Sequence, residues 1–227
     1  MEQIILYNAF QNSFIGLLII LLLGFFSFAL SQKNKYFQCQ ILNYIYINIV
    51  VIYLIGLAIF LLLLLKINYQ IIQIVFFLFS IYKFIFIAKH FLIDKNKFPF
   101  FNKDNFLLTI FFALLFLYCS SLVSDADSLD YHLGIPIEIL RKQYFFARSD
   151  EWLHYRLAGM GEMINLYGLF FKSSNFGQIF QILSLFNIFL LFQKFNKKTI
   201  INIFIILTFP ILFSLILSAK QILFSTC

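Results

Sequence analysis

The chain has 227 residues, of which 62% are hydrophobic, 21% aromatic and only 12% charged. A soluble domain of this length cannot bury so much apolar surface, so the composition excludes a soluble globular protein and predicts lipid as the main solvent. The formal net charge of +7 does not indicate a nucleic-acid partner, because the lysines occur singly between hydrophobic runs, as loop lysines do in membrane proteins.

Six apolar runs approach the roughly 20 residues that a transmembrane helix needs. They predict an all-α, polytopic helical bundle that forms one membrane domain, residues 1–227, with spans near 13–30, 42–65, 71–88, 106–123, 176–193 and 200–217. The first run lacks a basic flank and a small-residue cleavage site, so we interpret it as a retained anchor. Lys83 lies inside the third run, and we expect it to snorkel toward a helix end.

The basic residues predict the orientation of the bundle. With the N-terminus outside, the short inner loops hold nine lysines and the longer outer segments hold seven basic residues. The higher density inside fits the positive-inside rule. We therefore expect a multi-pass protein of the inner (plasma) membrane, with the loop at 124–160 on the extracytoplasmic side.

Residues 154–172 show an amphipathic helical pattern rather than a uniformly apolar one. His154, Glu162 and Asn165 fall on one arc at 100° per residue, and apolar side chains fall on the other. This pattern predicts a juxtamembrane helix that lies flat at the interface, with the polar arc facing water. The alternative is that residues 157–171 begin the next span.

The loop between the fourth and fifth runs concentrates the acidic residues. Seven of the ten acids lie between 124 and 162: Asp125, Asp127, Asp130, Glu138, Asp150, Glu151 and Glu162. Ordinary loop solvation is one explanation, and a capping box of Ser124 and Asp127 is another. Alternatively, a helix over 125–141 would place Asp127, Asp130 and Tyr131 on one face. Carboxylates beside apolar walls lose solvation, so their pKa values rise toward the range of a general base.

Two segments of this loop, "DADSLDYHLGIPIEILRKQYF" and "DEWLHYRLAGMGEM", resemble the GT-C superfamily of integral-membrane glycosyltransferases. The similarity is to bacterial members with an Asp-x-Leu-x-Tyr-His-Leu pattern at the start of the first large extracytoplasmic loop. That pattern is matched by Asp127, Leu129, Tyr131, His132 and Leu133, and a later Gly-Glu-Met element is matched by residues 161–163. The resemblance covers roughly residues 106–193.

The resemblance implies transfer of a sugar from a polyprenyl-phosphate donor to a glycan or lipid acceptor hydroxyl outside the cell. It assigns the general base to Asp127, with Asp125 and Asp130 as competitors. Donor and acceptor contacts would come from Tyr131, His132, Arg141, His154, Arg156 and Glu162. It assigns no metal ligands and no certain cofactor, although some relatives use a divalent cation that Glu162 could help to hold. Members are usually longer, so the chain would be an N-terminal fragment, the product of a truncated reading frame or a reduced homologue.

Two other functions fit a bundle with a charged loop. A transporter or flippase subunit would place ionisable residues inside its spans, and here the charges lie mostly in the loop, which favours chemistry on a membrane substrate. An assembly partner would use the loop as a docking surface.

Cys39, Cys119 and Cys227 show no metal-binding spacing and are interpreted as ordinary cysteines.

Overall fold

The computed structural model describes residues 9–93, 103–120, 132–142, 159–195, 201–203, 206 and 208. These residues form helices and short connections, and no strand occurs among them. The helices, in chain order, are α1 (Ala9–Lys33), α2 (Gln40–Leu64), α3 (Tyr69–Ile93), α4 (Lys103–Cys119), α5 (Gly134–Lys142), α6 (Met160–Phe170) and α7 (Phe176–Phe195).

Four of these helices are long and apolar enough to cross a membrane. The candidate spans are Gln11–Lys33, Gln40–Leu64, Tyr69–His90 and Phe176–Lys194, and a shorter apolar helix covers Leu107–Cys119. The prediction of an all-α protein with several helices able to cross a membrane is confirmed for the described residues, whereas the number of six spans stays a prediction. The fourth predicted span corresponds to the shorter helix, and most of the sixth, 200–217, lies outside the described residues.

α2 and α7 form the centre of the bundle. α2 packs against α1, α3, α6 and α7, and α7 also contacts α1, α4 and α6. About 67% of the apolar window of α7 is buried by protein, against 17% of that of α3. α3 is therefore the peripheral helix, and most of its surface is left for lipid.

A chain of buried amides links three helices in the interior. Asn187 Nδ2 of α7 donates to Asn48 Oδ1 of α2 over 3.1 Å, and Asn48 Nδ2 donates to Ser27 Oγ of α1 over 3.2 Å. Apolar side chains alone do not specify one register between helices in lipid, whereas hydrogen bonds between helices do. This chain fixes the register of α1, α2 and α7.

The polar arc expected on the juxtamembrane helix does not face water. The helix begins at Met160, and all residues from Glu162 to Phe170 are buried; Glu162 is 4% and Asn165 1% exposed. Gly56 of α2 lets the Met160 side chain approach the backbone closely. The helix can be buried because its polar side chains, Glu162 and Asn165, form hydrogen bonds with other groups of the protein. The earlier part of the expected helix, 154–158, lies outside the described residues.

The expectation that Lys83 snorkels to a helix end is also wrong. Its side chain is fully buried, and its Nζ donates a hydrogen bond to Tyr167 Oη over 2.9 Å. The ammonium also lies 4.9 Å from the centroid of the Phe79 ring and 5.5 Å from that of Tyr167. The Tyr167 hydroxyl and the two aromatic rings interact with the ammonium, so the Lys83 side chain points into the bundle rather than toward a helix end.

Candidate functional site

The described part of the predicted site is built around the pair His132 and Glu162. His132 follows the acid-rich segment 125–130, which holds Asp125, Asp127 and Asp130, and Glu162 lies in the first turn of α6. His132 Nδ1 is 2.7 Å from Glu162 Oε1, and the two side chains are 16% and 5% exposed. A carboxylate at this distance fixes the tautomer and the orientation of an imidazole ring.

The same carboxylate holds the start of α6. Glu162 Oε2 accepts a hydrogen bond from the Gly159 backbone N–H over 2.7 Å, which is the carboxylate half of a capping box. Negative charge at the first turn also interacts favourably with the helix dipole. Glu162 therefore joins the His132 ring to the N-terminus of α6.

A second side chain of α6 binds the backbone at His132. Asn165 Nδ2 donates to the His132 carbonyl oxygen over 2.8 Å, and Asn165 is almost fully buried. Glu162 and Asn165 are separated by three residues, so both project from the same side of the helix. Together they bind the ring and the backbone of His132, so two side chains of α6 anchor this position of the predicted motif.

Helix α5 follows directly and carries a further predicted residue. Ile135 and Ile139 are fully buried, and α5 packs against α6. Arg141 and Lys142 are exposed in the last turn of α5, and Lys142 Nζ lies 3.6 Å from Glu138 Oε1. The contacts described for His132 and Glu162 do not include Arg141, so it is near in sequence but is not part of the pair.

The structure thus brings together two of the nine predicted site residues, His132 and Glu162, and it places Arg141 on α5. The other six lie outside the described residues: Asp125, Asp127, Asp130, Tyr131, His154 and Arg156.

Asn165 and Lys83 are polar residues that the sequence did not assign to a site. The sequence signal for Asn165 is its place on the polar arc of the helix, three residues after Glu162. For Lys83 it is a single charge within an apolar run, which is a functional signal in membrane helices.

The predicted divalent cation does not fit Glu162 as it is arranged here. Both carboxylate oxygens are already bound, Oε1 by His132 and Oε2 by the Gly159 N–H. Among the described residues there is no group of three or more His, Cys, Asp or Glu side chains that could hold a metal ion. The geometry therefore assigns Glu162 an orienting function.

A family model described as DUF1420 N-terminal domain matches residues 8–226. No curated protein and no solved structure matches the chain significantly.

Proposed function

The chain belongs to the DUF1420 N-terminal domain family, and we propose that it is a membrane glycosyltransferase, or the N-terminal part of one. In this proposal it transfers a sugar from a polyprenyl-phosphate donor to an acceptor hydroxyl at the extracytoplasmic surface. The observation that carries the proposal is the His132–Glu162 pair, with its 2.7 Å contact. This pair anchors the end of the acid-rich segment to a buried helix.

Asp127 is the proposed general base. It removes the proton of the acceptor hydroxyl while the acceptor oxygen attacks the anomeric carbon, and the polyprenyl phosphate departs with the electron pair of the broken bond. Asp125 and Asp130 are the competing candidates, because they lie within three residues of Asp127. A carboxylate near the apolar bundle loses solvation, which favours a base strong enough for this step.

His132 is the proposed contact to the donor phosphate. Its Nδ1 faces Glu162, so the ring would reach a substrate through Nε2. A hydrogen bond from the imidazole to the departing phosphate would stabilise the charge that develops there. Arg141, Arg156 and His154 supply further cations, and Tyr131 supplies a hydroxyl for the sugar or acceptor.

The experiment is sugar transfer from a radiolabelled polyprenyl-phosphate sugar in proteoliposomes containing the full chain. Asp127→Asn should lower the transfer rate by about 100-fold or more, the usual contribution of a general base. Asp150→Asn, in the same loop but outside the motif, is the matched control and should stay within about twofold. Equal rates for the wild type and Asp127→Asn would remove Asp127 from the base role. No transfer from any of the polyprenyl donors tested would reject the proposal that this chain is by itself a complete transferase.

A transporter or flippase subunit is the second candidate, and one specific observation favours it. Lys83 is a buried cation inside a candidate span, and the amides of Asn48 and Asn187 are also buried in spans. Buried polar groups of this kind line substrate paths in transporters. Movement of a fluorescent lipid across proteoliposomes, without sugar transfer, would select this candidate.

A further inference from the structure

The connection between α1 and α2, residues 34–39, is held in one shape by a buried side chain. Asn43 of α2 is almost fully buried. Its Nδ2 donates hydrogen bonds to the carbonyl oxygens of Ser31 and Asn34, each over 2.7 Å, and its Oδ1 accepts one from the backbone N–H of Tyr36 over 2.9 Å. These three hydrogen bonds fix the backbone of the connection, so the side chains that it exposes are already in place for a ligand.

An exposed aromatic cluster at this connection consists of Tyr36, Phe37 and Tyr46. The ring centroids of Tyr36 and Phe37 each lie 5.4 Å from that of Tyr46. Tyr46 is six residues beyond Gln40, the first residue of α2, so the cluster reaches about 9 Å along the helix. The candidate span of α2 also begins at Gln40. The aromatic cluster therefore lies where a bilayer changes from headgroups to acyl chains, the level at which such rings are enriched.

Lysines of α1, of the connection and of α3 are exposed at the same end of the bundle. Lys33 is the last residue of α1, and Lys35 lies in the connection. The Lys33 ammonium lies 4.5 Å from the centroid of the Phe86 ring, which places the last part of α3 at the same level. Lys89 follows Phe86 by three residues and is exposed. Three positive charges therefore surround the connection.

α7 brings a fourth lysine to this end. The hydrogen bond between Asn187 and Asn48 lies eight residues from the end of α7 and eight from the start of α2. Asn175, just before α7, bonds Ser13 near the start of α1, so α7 runs in the same direction as α1. Lys194, exposed in the last turn of α7, therefore lies at the level of the connection. The sequences of α1, α2, α3 and α7 contain no acidic residue, so none of these helices offers a carboxylate to neutralise the lysines.

We propose that the aromatic cluster and Lys35 bind an anionic phospholipid such as phosphatidylglycerol. The lipid phosphate contacts Lys35 in the positive potential of the other three lysines. The glycerol backbone and the first methylene groups of the acyl chains pack against the aromatic cluster. A soluble anion would use the lysines alone, whereas the aromatic cluster adds a contact that only a lipid makes.

This surface is separate from the candidate site. Met160, two residues before Glu162, lies against Gly56 of α2. Gly56 is sixteen residues beyond Gln40, which corresponds to about 24 Å along the helix axis. The proposal therefore does not rest on glycosyltransferase activity, and its test measures binding alone.

The test measures lipid binding to the purified full chain in a neutral detergent by native mass spectrometry. The two probes are dioleoyl phosphatidylglycerol and dioleoyl phosphatidylcholine, which have the same acyl chains and differ in headgroup charge. We expect saturable binding of phosphatidylglycerol with a Kd about tenfold or more below that of phosphatidylcholine, and no competition by glycerol phosphate. Equal Kd values for the two lipids would overturn the proposal. Competition by glycerol phosphate would also overturn it, because the site would then bind a soluble anion.

Two variants with matched controls locate the site. Lys35→Gln should weaken phosphatidylglycerol binding about fivefold, whereas Lys66→Gln, which removes an exposed lysine at the other end of α2, should bind as the wild type does. Tyr36→Ala combined with Phe37→Ala should weaken binding about threefold or more, whereas Tyr53→Ala, which removes an exposed ring from the middle of α2, should not. Wild-type affinity in Lys35→Gln or in the aromatic variant, or equal losses in the controls, would refute the site. If the aromatic variant does not fold, Lys35→Gln and its control decide.

Discussion

His132 and Glu162 are separated by thirty residues in the sequence, and their side chains meet at 2.7 Å at the N-terminus of α6. This contact joins the acid-rich segment to a helix that is buried in the bundle. It is also the only direct link between two predicted site residues within the described part of the chain.

The first prediction concerns the charge of Glu162. Glu162→Gln keeps the shape but weakens both the contact to His132 and the cap at Gly159, so the free energy of unfolding should fall by about 1–3 kcal/mol. Sugar transfer should fall tenfold or more because His132 loses its orientation. Chemical unfolding in mixed micelles and the transfer assay measure the two effects.

Glu138→Gln is the matched control for that variant. Glu138 is also buried, and it pairs with the half-exposed Lys142 at 3.6 Å in an i,i+4 arrangement. Glu138→Gln therefore removes a buried carboxylate from a different ion pair, and sugar transfer should fall less than in Glu162→Gln. An equal loss of sugar transfer in the two variants would mean that the contact to His132 is not the cause.

The second prediction concerns the close packing of α6 on α7. A Cβ at Gly168 would overlap the Phe176 side chain, so Gly168→Ala should destabilise the fold by about 1–3 kcal/mol. A Cβ at Gly24 would lie 3.5 Å from Tyr44 Oη, an ordinary contact, and Gly24→Ala should be neutral or stabilising by up to about 1 kcal/mol. Thermal unfolding in detergent should rank Gly168→Ala below the wild type and Gly24→Ala at or above it. The reverse order would contradict the packing of α6 against α7.

The third prediction concerns the amide link between α2 and α7. In a double-mutant cycle of Asn48→Ala and Asn187→Ala, the 3.1 Å hydrogen bond should give a coupling free energy of about 0.6 kcal/mol, with about 1.7 kcal/mol as the upper end for such bonds in membranes. Unfolding in mixed micelles gives the free energies of the wild type, the two single variants and the double variant. A coupling of zero would show that the two amides do not interact.

The fourth prediction concerns the reactivity of Cys39, which precedes the first residue of α2. The backbone N–H groups of Leu42 and Ile41 lower the pKa of its thiol below the usual range, against a smaller opposing effect of burial. A lowered pKa increases the thiolate fraction at a given pH, so alkylation by iodoacetamide should reach half its maximal rate at a lower pH than in the SDS-unfolded chain. A background of Cys119→Ala and Cys227→Ser leaves one reactive thiol. Identical pH profiles before and after unfolding would contradict the prediction.

The fifth prediction concerns the side of the membrane on which Cys39 lies. It belongs to a connection that the distribution of lysines assigns to the cytoplasm. A membrane-impermeant maleimide should therefore label Cys39 only after the cells are permeabilised. A cysteine introduced by Ser149→Cys, in the loop expected outside, should react in intact cells. The opposite labelling of the two positions would invert the orientation.

The apolar runs predicted most of the helices because the hydrocarbon core of a membrane offers no hydrogen-bond partners to the backbone. Backbone groups in lipid must bond within their own segment, so a long apolar run forms a helix. The runs at 13–30, 42–65, 71–88 and 176–193 correspond to α1, α2, α3 and α7. All four helices are longer than predicted, because polar residues such as Gln11 and Lys33 continue the same hydrogen-bond pattern beyond the apolar core.

The candidate site was less predictable because its contacts join residues that are distant in the sequence. Glu162 was identified by its resemblance to a motif, yet only the packing of α6 shows that it binds His132 rather than solvent. A helical-wheel pattern assigns the polar arc of such a helix to water. That assignment is wrong here because Glu162 and Asn165 form hydrogen bonds with His132 instead of water.

The sequence alone determined that this chain is a multi-pass helical membrane protein, since composition and run length decide which solvent a segment can occupy. Only the tertiary structure decided where the polar side chains go. It buried α6, joined Glu162 to His132, and turned Lys83 toward Tyr167 instead of the membrane surface. The physical reason is that a buried polar group is stable only with a partner, and partners far apart in the sequence meet only when the helices pack.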